Sequence, residues 1–374
     1  MEINQSGWLT GPAAYPFVVE NGPKPQPGEG QVLIRNEVVA VNPVDWKIQS
    51  HGRYLNTYPF ILGQDAAGVV EEVGSGVTRF RKGQRVIAHC NGLMTQDPAN
   101  SAFQLYTVVT EALVAEIPDS LELKRAVVLP LAVSTACAGL YRKDYLSLPL
   151  PSVNEAKKTG QTILIWGGAS SVGATAIQLA VASGLNVIST ASVANHEFVK
   201  SLGADAVFDY RSPTVVDEIA KAITNTEFVG VFDAIGEKTS FAAISALADR
   251  VDRPVNTASV LPCEQQTPRF APKYGQSNLL QTLRHLVLLQ ICGKWHGVMT
   301  DMDESTVVAY SIIQDPHKFI GEWIWGEFLP KALAGGRFQA KPDPYLVGNG
   351  IMDIQHALDV QKKGVSAKKV IVTL

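Results

Sequence analysis

Apolar and polar positions change their rhythm twice along this chain. From Gln31 to Val41 the run QVLIRNEVVAV alternates in strand fashion. Asn42-Pro43-Val44-Asp45-Trp46-Lys47 then reads as a turn entering a short helix. Between Pro59 and Ala88 two further β-branched runs are divided by Gly74, Gly76 and Gly83, each a turn signal. Phe103 to Val109 adds another strand, and the polar loop between, Cys90 to Ser101, is expected to be exposed. Short strands ahead of any long helix predict a compact β-barrel-like domain.

A helical period takes over from Leu123 to Leu140, broken at Pro130, and a Pro- and Ser-rich surface connection follows from Tyr145 to Lys158. Thr162 to Trp166 is then a short apolar strand, Gly167-Gly168 a turn, Val172 to Ala182 a helix and Asn186 to Thr190 a second strand. This is a βαβ unit of the kind that binds dinucleotides. The alternation continues: helix Glu197–Leu202, strand Ala206–Phe208, helix Val215–Ile223, strand Phe228–Ala234, helix Ser240–Ala248, strand Pro254–Ala258. A parallel sheet covered on both faces is predicted, with Leu286 to Cys292 as a sixth strand. Met299 to Ser305 reads as loop, Phe328 to Ala334 as helix and Lys369 to Leu374 as a closing strand. Two domains follow. Residues 1–130 and 301–374 form the β-rich one, residues 131–300 an inserted dinucleotide domain, and the cleft between them is the expected ligand site.

With 374 residues, 46% of them hydrophobic and 18% charged, the chain can bury two cores. Its net charge of -3 argues against a nucleic-acid partner recognised by bulk charge. No apolar run approaches the roughly 20 residues of a membrane span, and MEINQSGWLT has neither the basic start nor the apolar core of a signal peptide. Cys90, Cys137, Cys263 and Cys292 lack disulfide or metal spacing and read as buried thiols in a reducing compartment. A cytoplasmic location is expected.

The candidate chemistry starts at the glycines. Gly168, Ser170 and Gly173 occupy the positions of G-x-G-x-x-G, with Ser in the middle. The first position permits the tight turn, the second lets backbone approach pyrophosphate, and the third lets the helix pack closely on its strand. The leading amides and dipole of the helix then favour phosphate, to which the Ser170 hydroxyl is expected to donate. An NAD site ends its second strand with a carboxylate that holds the ribose hydroxyls. Here the strand ends Ser189-Thr190-Ala191-Ser192, with no carboxylate before Glu197. Small hydroxyls leave room for a 2′-phosphate, and Asn195, Lys200 and Arg211 lie near in sequence. NADPH is the expected cofactor.

The segments LGQDAAGVVEEVGSGVTRFRKGQRV and ILIWGGASSVGATAIQLA resemble the medium-chain dehydrogenase/reductase superfamily, over nearly the whole chain from about Gln31. Within it, NPVDWK, LPLAVSTACAGLYR, SLGADAVFDYRSP and VSAKKVIVTL are similar to the fungal trans-acting enoyl reductases, which work alongside polyketide synthases. The resemblance implies an α/β fold: a GroES-like β-barrel catalytic domain and a Rossmann, doubly wound parallel-sheet cofactor domain. The zinc alcohol dehydrogenases of the superfamily hold zinc through an early Cys, a Gly-His-Glu motif and a later Cys. Here Asn42 to Asp45 contain no Cys, Gly63-Gln64-Asp65 replaces the His by Gln, and the four-Cys loop is reduced to Cys90. A zinc-free member is expected, His51, His89 and Asp65 being the residual metal candidates.

The resemblance implies residue roles as well. Val44, Asp45, Trp46 and Lys47 would lie at the nicotinamide end, and Ala169, Ser170, Ser171 and Val172, with Gly168 and Gly173, at the pyrophosphate. Ser192, Val193, Ala194, Asn195 and Tyr210 would lie at the adenosine phosphate, with Leu346 and Val347 from the returning tail. Thr135, Ala136, Cys137, Ala138, Gly139, Leu140, Tyr141 and Arg142 would line the substrate channel, as would Leu288, Leu289, Gln290, Ile291 and Cys292; the small residues of the first group fit a core helix equally. Catalytic candidates are Lys47, for ribose hydroxyls or a proton relay, and Tyr54. Zinc-free enoyl thioester reductases carry a Tyr close to that place, here with one residue extra. The implied activity is NADPH-dependent reduction of an enoyl thioester by a monomer that docks on a synthase. A zinc-independent quinone or alkenal reductase, a redirected non-redox biosynthetic step and a non-catalytic cofactor-binding protein are the alternatives.

Overall fold

The structure, a computed structural model, describes residues 3–52, 54–251, 255–260 and 307–374. The expected strand Leu286–Cys292, the loop Met299–Ser305, Cys263 and the substrate residues Leu288, Leu289, Gln290, Ile291 and Cys292 lie outside the described residues.

The N-terminal half is β-rich. Strands β1 (Ile3–Leu9), β2 (Val18–Pro23) and, past helix α1 (Pro43–His51), β4 (Phe60–Ile61) form a small sheet in the order β2-β1-β4. The larger sheet takes β3 (Gln31–Ala40), β5 (Asp65–Val73), β6 (Arg85–His89), β7 (Tyr106–Thr110) and β8 (Val114–Glu116), with the short helix α2 (Gly92–Thr95) between β6 and β7. Along β3 only Arg35 is exposed, and Val32–Ile34 and Val38–Ala40 are buried throughout, so this strand and the first half of β5 are covered on both faces. Contrary to expectation, the segment Cys90 to Ser101 is partly interior. Cys90, Asn91, Gly92, Asn100 and Ser101 are buried, because Asn100 and the backbone around it bond into β7.

Pro130 does break the next helix, into α3 (Leu123–Ala126) and α4 (Pro130–Tyr141). Leu123–Tyr141 has 19 residues and the apolarity of a membrane span, a length the sequence reading did not assign to any run. Its positions are 83% buried inside the protein, which marks it as a core element. A parallel sheet follows, five-stranded among the described residues: β9 (Gln161–Trp166), α5 (Ser171–Ala182), β10 (Asn186–Ala191), α6 (His196–Ser201), β11 (Ala206–Asp209), α7 (Val215–Ile223), β12 (Glu227–Asp233), α8 (Lys238–Val251) and β13 (Thr257–Ser259). The strand order β11-β10-β9-β12-β13 reverses at β9, the doubly wound arrangement that leaves a crevice at the strand ends.

The chain then returns to the barrel. One helix runs from Lys318 to Ala334, with a π-turn at Ile324–Phe328 just before Pro330. Proline lacks the amide that would close the regular bond there, so the turn widens. Arg79 Nη2 donates to the Trp325 carbonyl in that turn (2.9 Å), which ties the helix to the barrel. Finally β14 (Asp343–Asn349) and β15 (Lys368–Thr373), separated by the helix Ile354–Lys363, extend the barrel sheet through β15–β3 pairing. Thus residues more than 300 positions apart share one sheet, and the cofactor sheet is an insertion between its strands.

Candidate active site

The glycine turn is built differently from its motif. Gly167, one residue ahead of the motif, carries the left-handed backbone (φ 82°) and makes the tight turn. Gly168 is needed for space instead, since a Cβ there would come within 2.2 Å of Ser189 Oγ on β10. At Gly173 a Cβ would meet the Gly167 carbonyl at 2.2 Å, so α5 packs against the turn as the third position demands. Ser170 is the N-cap of α5. Its hydroxyl donates to the Gly167 carbonyl (2.8 Å) and accepts from Gly173 N (3.0 Å). The leading amides of Ser171 and Val172, beside Ala169, open the first turn of the helix, the arrangement that receives phosphate.

Two of the hydroxyls at the end of β10 are committed as well. Ser189 is fully buried and donates to the Ile165 carbonyl (2.7 Å), and Thr190 Oγ1 accepts from Gly167 N (2.9 Å). They brace the turn and cannot face a 2′-phosphate, which corrects the sequence reading for that pair. Ser192 is left at the strand end, where its hydroxyl accepts from Asn195 Nδ2 (3.1 Å). Val193 is 67% exposed and Ala194 is exposed, beside Tyr210 at the end of the neighbouring β11. Arg211 stacks on the Tyr210 ring (5.0 Å), whereas Lys200 is drawn to Glu197 (3.1 Å). Asn195 Nδ2 also reaches Ser366 Oγ (3.1 Å), a tail residue that sequence reasoning missed.

On the barrel side the expected nicotinamide residues separate into two groups. Trp46 donates from Nε1 to Gln361 Oε1 (2.8 Å), and the ammonium groups of Lys47 and Lys362 lie over its ring (5.7 and 5.6 Å). The Trp46 side chain is therefore committed to the helix Ile354–Lys363, with Lys47 over the indole. Val44 is half-buried against the core. Asp45 is fully buried, and its Oδ2 accepts from the Asn42 amide (2.8 Å), closing a capping box at the start of α1. Its side chain positions the turn. Tyr54 sits in left-handed backbone (φ 70°), packed on the core, its carbonyl held by Gln96 Nε2 (3.2 Å).

Asp45 belongs to a buried polar cluster at the position where zinc-binding relatives carry their ligands. Asp65 pairs with Lys369 (2.8 Å) and accepts from Asn42 Nδ2 (2.8 Å) and from Leu131 N (2.6 Å). Lys369 also donates to Asn42 Oδ1. Gln64 accepts from the Tyr310 phenol, and the Tyr310 ring stacks on His89 at 4.5 Å. Trp325 Nε1 donates to Ser134 Oγ (3.3 Å), which also shares a hydrogen bond with His89 Nδ1 (3.0 Å). Burial pushes the Asp45 carboxyl up to about 7, Asp65 adding to the shift and Lys369 opposing it. Burial likewise lowers the His89 imidazole to about 4 and lifts the Tyr310 phenol well above its usual value. This donor set does not fit zinc. Gln64 is a poor ligand, the Lys369 ammonium already occupies Asp65, and the described residues contain no group of three or more His, Cys, Asp or Glu placed to hold a metal. His51 lies apart, bonded to the Lys47 carbonyl (2.9 Å).

The helix α4 is packed into the core. Ala136, Cys137, Ala138, Gly139, Leu140 and Tyr141 are buried in the core, Tyr141 donating to the Leu179 carbonyl (3.3 Å) on α5. A Cβ at Gly139 would lie 2.5 Å from the Phe232 ring, so this small residue serves close packing of the helix on β12. Thr135, 9% exposed, is the marginal member, and Arg142 is engaged by Asp144 (3.0 Å). Leu346, 48% exposed, and Val347 lie on β14 at the edge of the barrel sheet. Asp233, missed from sequence, is fully buried at the end of β12 and caps the turn into α8 through Ile235 N and Gly236 N (3.0 and 3.2 Å). A lone Asp after a strand carries no local signal of that burial.

Comparison with known proteins agrees with this geometry. Residues 28–119 match the alcohol dehydrogenase GroES-like domain, and residues 171–258 the zinc-binding dehydrogenase family. A trans-enoyl reductase, himH, of Aspergillus japonicus is 42% identical over 374 residues, which is 100% of this chain and 98% of that protein. The dehydrogenase pigH of Monascus ruber is 40% identical over 379 residues, covering 100% of both chains. Among solved structures, an alcohol dehydrogenase superfamily protein from Novosphingobium aromaticivorans superposes with TM-score 0.70 at 25% identity, over 99% of each chain. A quinone oxidoreductase from Pseudomonas syringae shares the fold, with TM-score 0.66 at 20% identity and 100% of both chains covered. The chain therefore belongs to the medium-chain dehydrogenase/reductase superfamily of oxidoreductases, whose dehydrogenases use a nicotinamide cofactor, and its relatives include fungal trans-enoyl reductases.

Proposed function

We propose that this protein reduces the carbon–carbon double bond of an enoyl thioester with NADPH, as a step in polyketide secondary metabolism. The observation that carries the reading is full-length likeness to a trans-enoyl reductase combined with a barrel site unsuited to zinc. Ketone reduction in this fold relies on a Lewis acid, which the Gln64, Asp65 and Lys369 cluster does not supply. Conjugate reduction needs none, because the charge that develops is spread onto the thioester oxygen, where amides or hydroxyls can stabilise it.

Bound at the Gly167–Gly173 turn, NADPH supplies a hydride for the β-carbon. The chain's own contribution is to hold the phosphates on the first amides of α5 and to leave the end of β10 free of any carboxylate that would repel a 2′-phosphate. Ser192, Asn195 and Tyr210 are the groups at that end, with Arg211 the nearby cation. A proton then completes the α-carbon, from the Tyr54 phenol or from water. Tyr54→Phe separates these: a donor role lowers kcat while cofactor affinity is kept, and unchanged turnover leaves water as the source. We further propose that the substrate arrives on a synthase-bound carrier and that the chain acts as a monomer.

The deciding experiment follows NADPH oxidation with an enoyl acyl-pantetheine thioester, a quinone and a small alkenal in parallel. Preference for the thioester supports the proposal. Preference for the quinone or alkenal replaces it by a zinc-independent reductase of free substrates, and no turnover of any of them favours a non-redox role.

A further inference from the structure

A lysine that is 4% exposed, deep in a barrel, calls for an explanation, because burying an ammonium is unfavourable unless its partners are fixed. Lys369 has two such partners. It pairs with Asp65 at 2.8 Å and donates to Asn42 Oδ1. Asn42 is itself gripped three ways: its amide N–H donates to Asp45, its side-chain NH₂ to Asp65, and its side-chain oxygen accepts from Lys369. Asn42 is the N-cap of α1, so these bonds fix where the turn Asn42–Lys47 begins. Asp65 carries the same knot onward. Its second oxygen accepts from Leu131 N in the first turn of α4, where a carboxylate is favoured by the helix dipole. One ammonium from the last strand thus joins the helix at the expected nicotinamide end to the helix that leads into the cofactor sheet.

We propose that Lys369 is a positioning residue: its ammonium, closing the Asn42–Asp65 pair, holds the turn that opens α1 in the conformation that seats the nicotinamide end of the cofactor. This rests on the NADPH reading under Proposed function and on the place at the nicotinamide end that the resemblance implies for Val44 to Lys47. Lys369 touches neither cofactor nor substrate in this scheme and acts through Asn42. An uncharged residue of similar length keeps the stem packing but leaves Asp65 without its counter-charge and Asn42 Oδ1 without its donor.

The cluster also gives a readout that packing alone would not move. The groups facing Asp45 are Asp65 on β5, Lys369 on β15, Cys90 just past β6, and Tyr310, on whose ring His89 stacks. His89, Cys90 and Tyr310 are held neutral around pH 7, so Lys369 is the cation of this set. Burial and Asp65 raise the Asp45 carboxyl to about 7, and Lys369 restrains the rise. Removing the ammonium must push Asp45 further up.

The test uses the full chain and three variants, Lys369→Met, Lys369→Arg and Asn42→Ala, with NADPH binding followed by tryptophan fluorescence across pH and thermal unfolding measured alongside. Lys369→Met is expected to weaken NADPH on the order of tenfold and to move the pH limb of binding upward, while Lys369→Arg stays near wild type. Asn42→Ala, which keeps the ion pair but cuts its link to the turn, is expected to reproduce the loss of affinity. It decides the matter where Lys369→Met does not fold. Folded Lys369→Met or Asn42→Ala with wild-type affinity and an unmoved pH limb overturns the proposal, even where the unfolding temperature drops. Wild-type protein that binds neither NADPH nor NADH removes the cofactor reading and this proposal together; binding by wild type with indifferent variants removes this proposal alone.

Discussion

Ser192 is where cofactor choice can be read from one side chain. It ends β10 with its hydroxyl already accepting from Asn195, next to the exposed Val193 and Ala194. A carboxylate at this point would stand beside a 2′-phosphate and repel it, while offering acceptors to the free hydroxyls of an NAD ribose. Wild-type protein is expected to bind NADPH more tightly than NADH by fluorescence titration, and Ser192→Asp to narrow or reverse that preference by roughly tenfold or more, a difference of about 1.4 kcal/mol. Equal binding of the two cofactors by wild type would contradict the assignment. The residue identities at this corner were legible from the order Ser-Thr-Ala-Ser, but their roles were not. Ser189 and Thr190 point into the sheet and serve the turn, since neighbouring strands place Ile165 and Gly167 within hydrogen-bond reach.

At the scale of the element, the turn and α5 form one mechanical unit. Ser170 satisfies an orphan amide of the helix and anchors to the turn's own carbonyl, so the same hydroxyl fixes the start of α5 and the shape of Gly167–Gly173. Ser170→Ala is expected to lower stability by about 1 kcal/mol in urea denaturation and to weaken NADPH, because the amides facing the phosphates lose their fixed direction. If affinity is untouched while stability falls, the cap serves the helix alone. This βαβ unit was the most legible part of the chain, as every one of its requirements is local. Strands β1, β2 and β14 were not read, because polar residues, glycine or proline interrupt them: INQSGWL, VVENGP and DPYLVGN. Only pairing with distant partners makes strands of such segments.

Across the whole molecule the buried charges set an unusual response to pH. The folded Asp45 carboxyl titrates near 7, above its ordinary 3.8, so the native state holds a proton that the unfolded chain has released. Its contribution to stability is therefore full below about pH 4 and lost as pH rises through 7. His89 works the other way. Its folded imidazole titrates near 4, below 6.5, so its contribution is present above 6.5 and lost as pH falls toward 4. The two slopes oppose each other between about pH 4 and 6.5 and nearly cancel. Asp45→Asn, which keeps an acceptor for the Asn42 amide, should expose the His89 slope: relative to wild type, the stability of the variant rises with pH across that window. Guanidinium denaturation at both ends of the window checks this, and a wild-type-like slope in the variant would mean Asp45 is ionised in the fold.

Local pattern alone determined the strand–turn–helix unit at Thr162–Ala191, the alternation that follows it, the break at Pro130 and the absence of a zinc ligand triplet at Asn42–Asp45 and Gln64. Each of these depends on residues within a few positions of one another, through backbone geometry, period or ligand chemistry. The tertiary structure alone decided that α4 packs into the core, that Ser170 caps its helix, and that Trp46 bonds to the helix Ile354–Lys363. It also decided that Lys369, which reads as an ordinary strand lysine, is buried. Its partner Asn42 lies 327 positions away, and the Asp233 carboxyl and His89 Nδ1 likewise find hydrogen-bond partners on other elements. Burial and pairing of a polar group are properties of the space around it, and that space is made by segments that local pattern cannot connect.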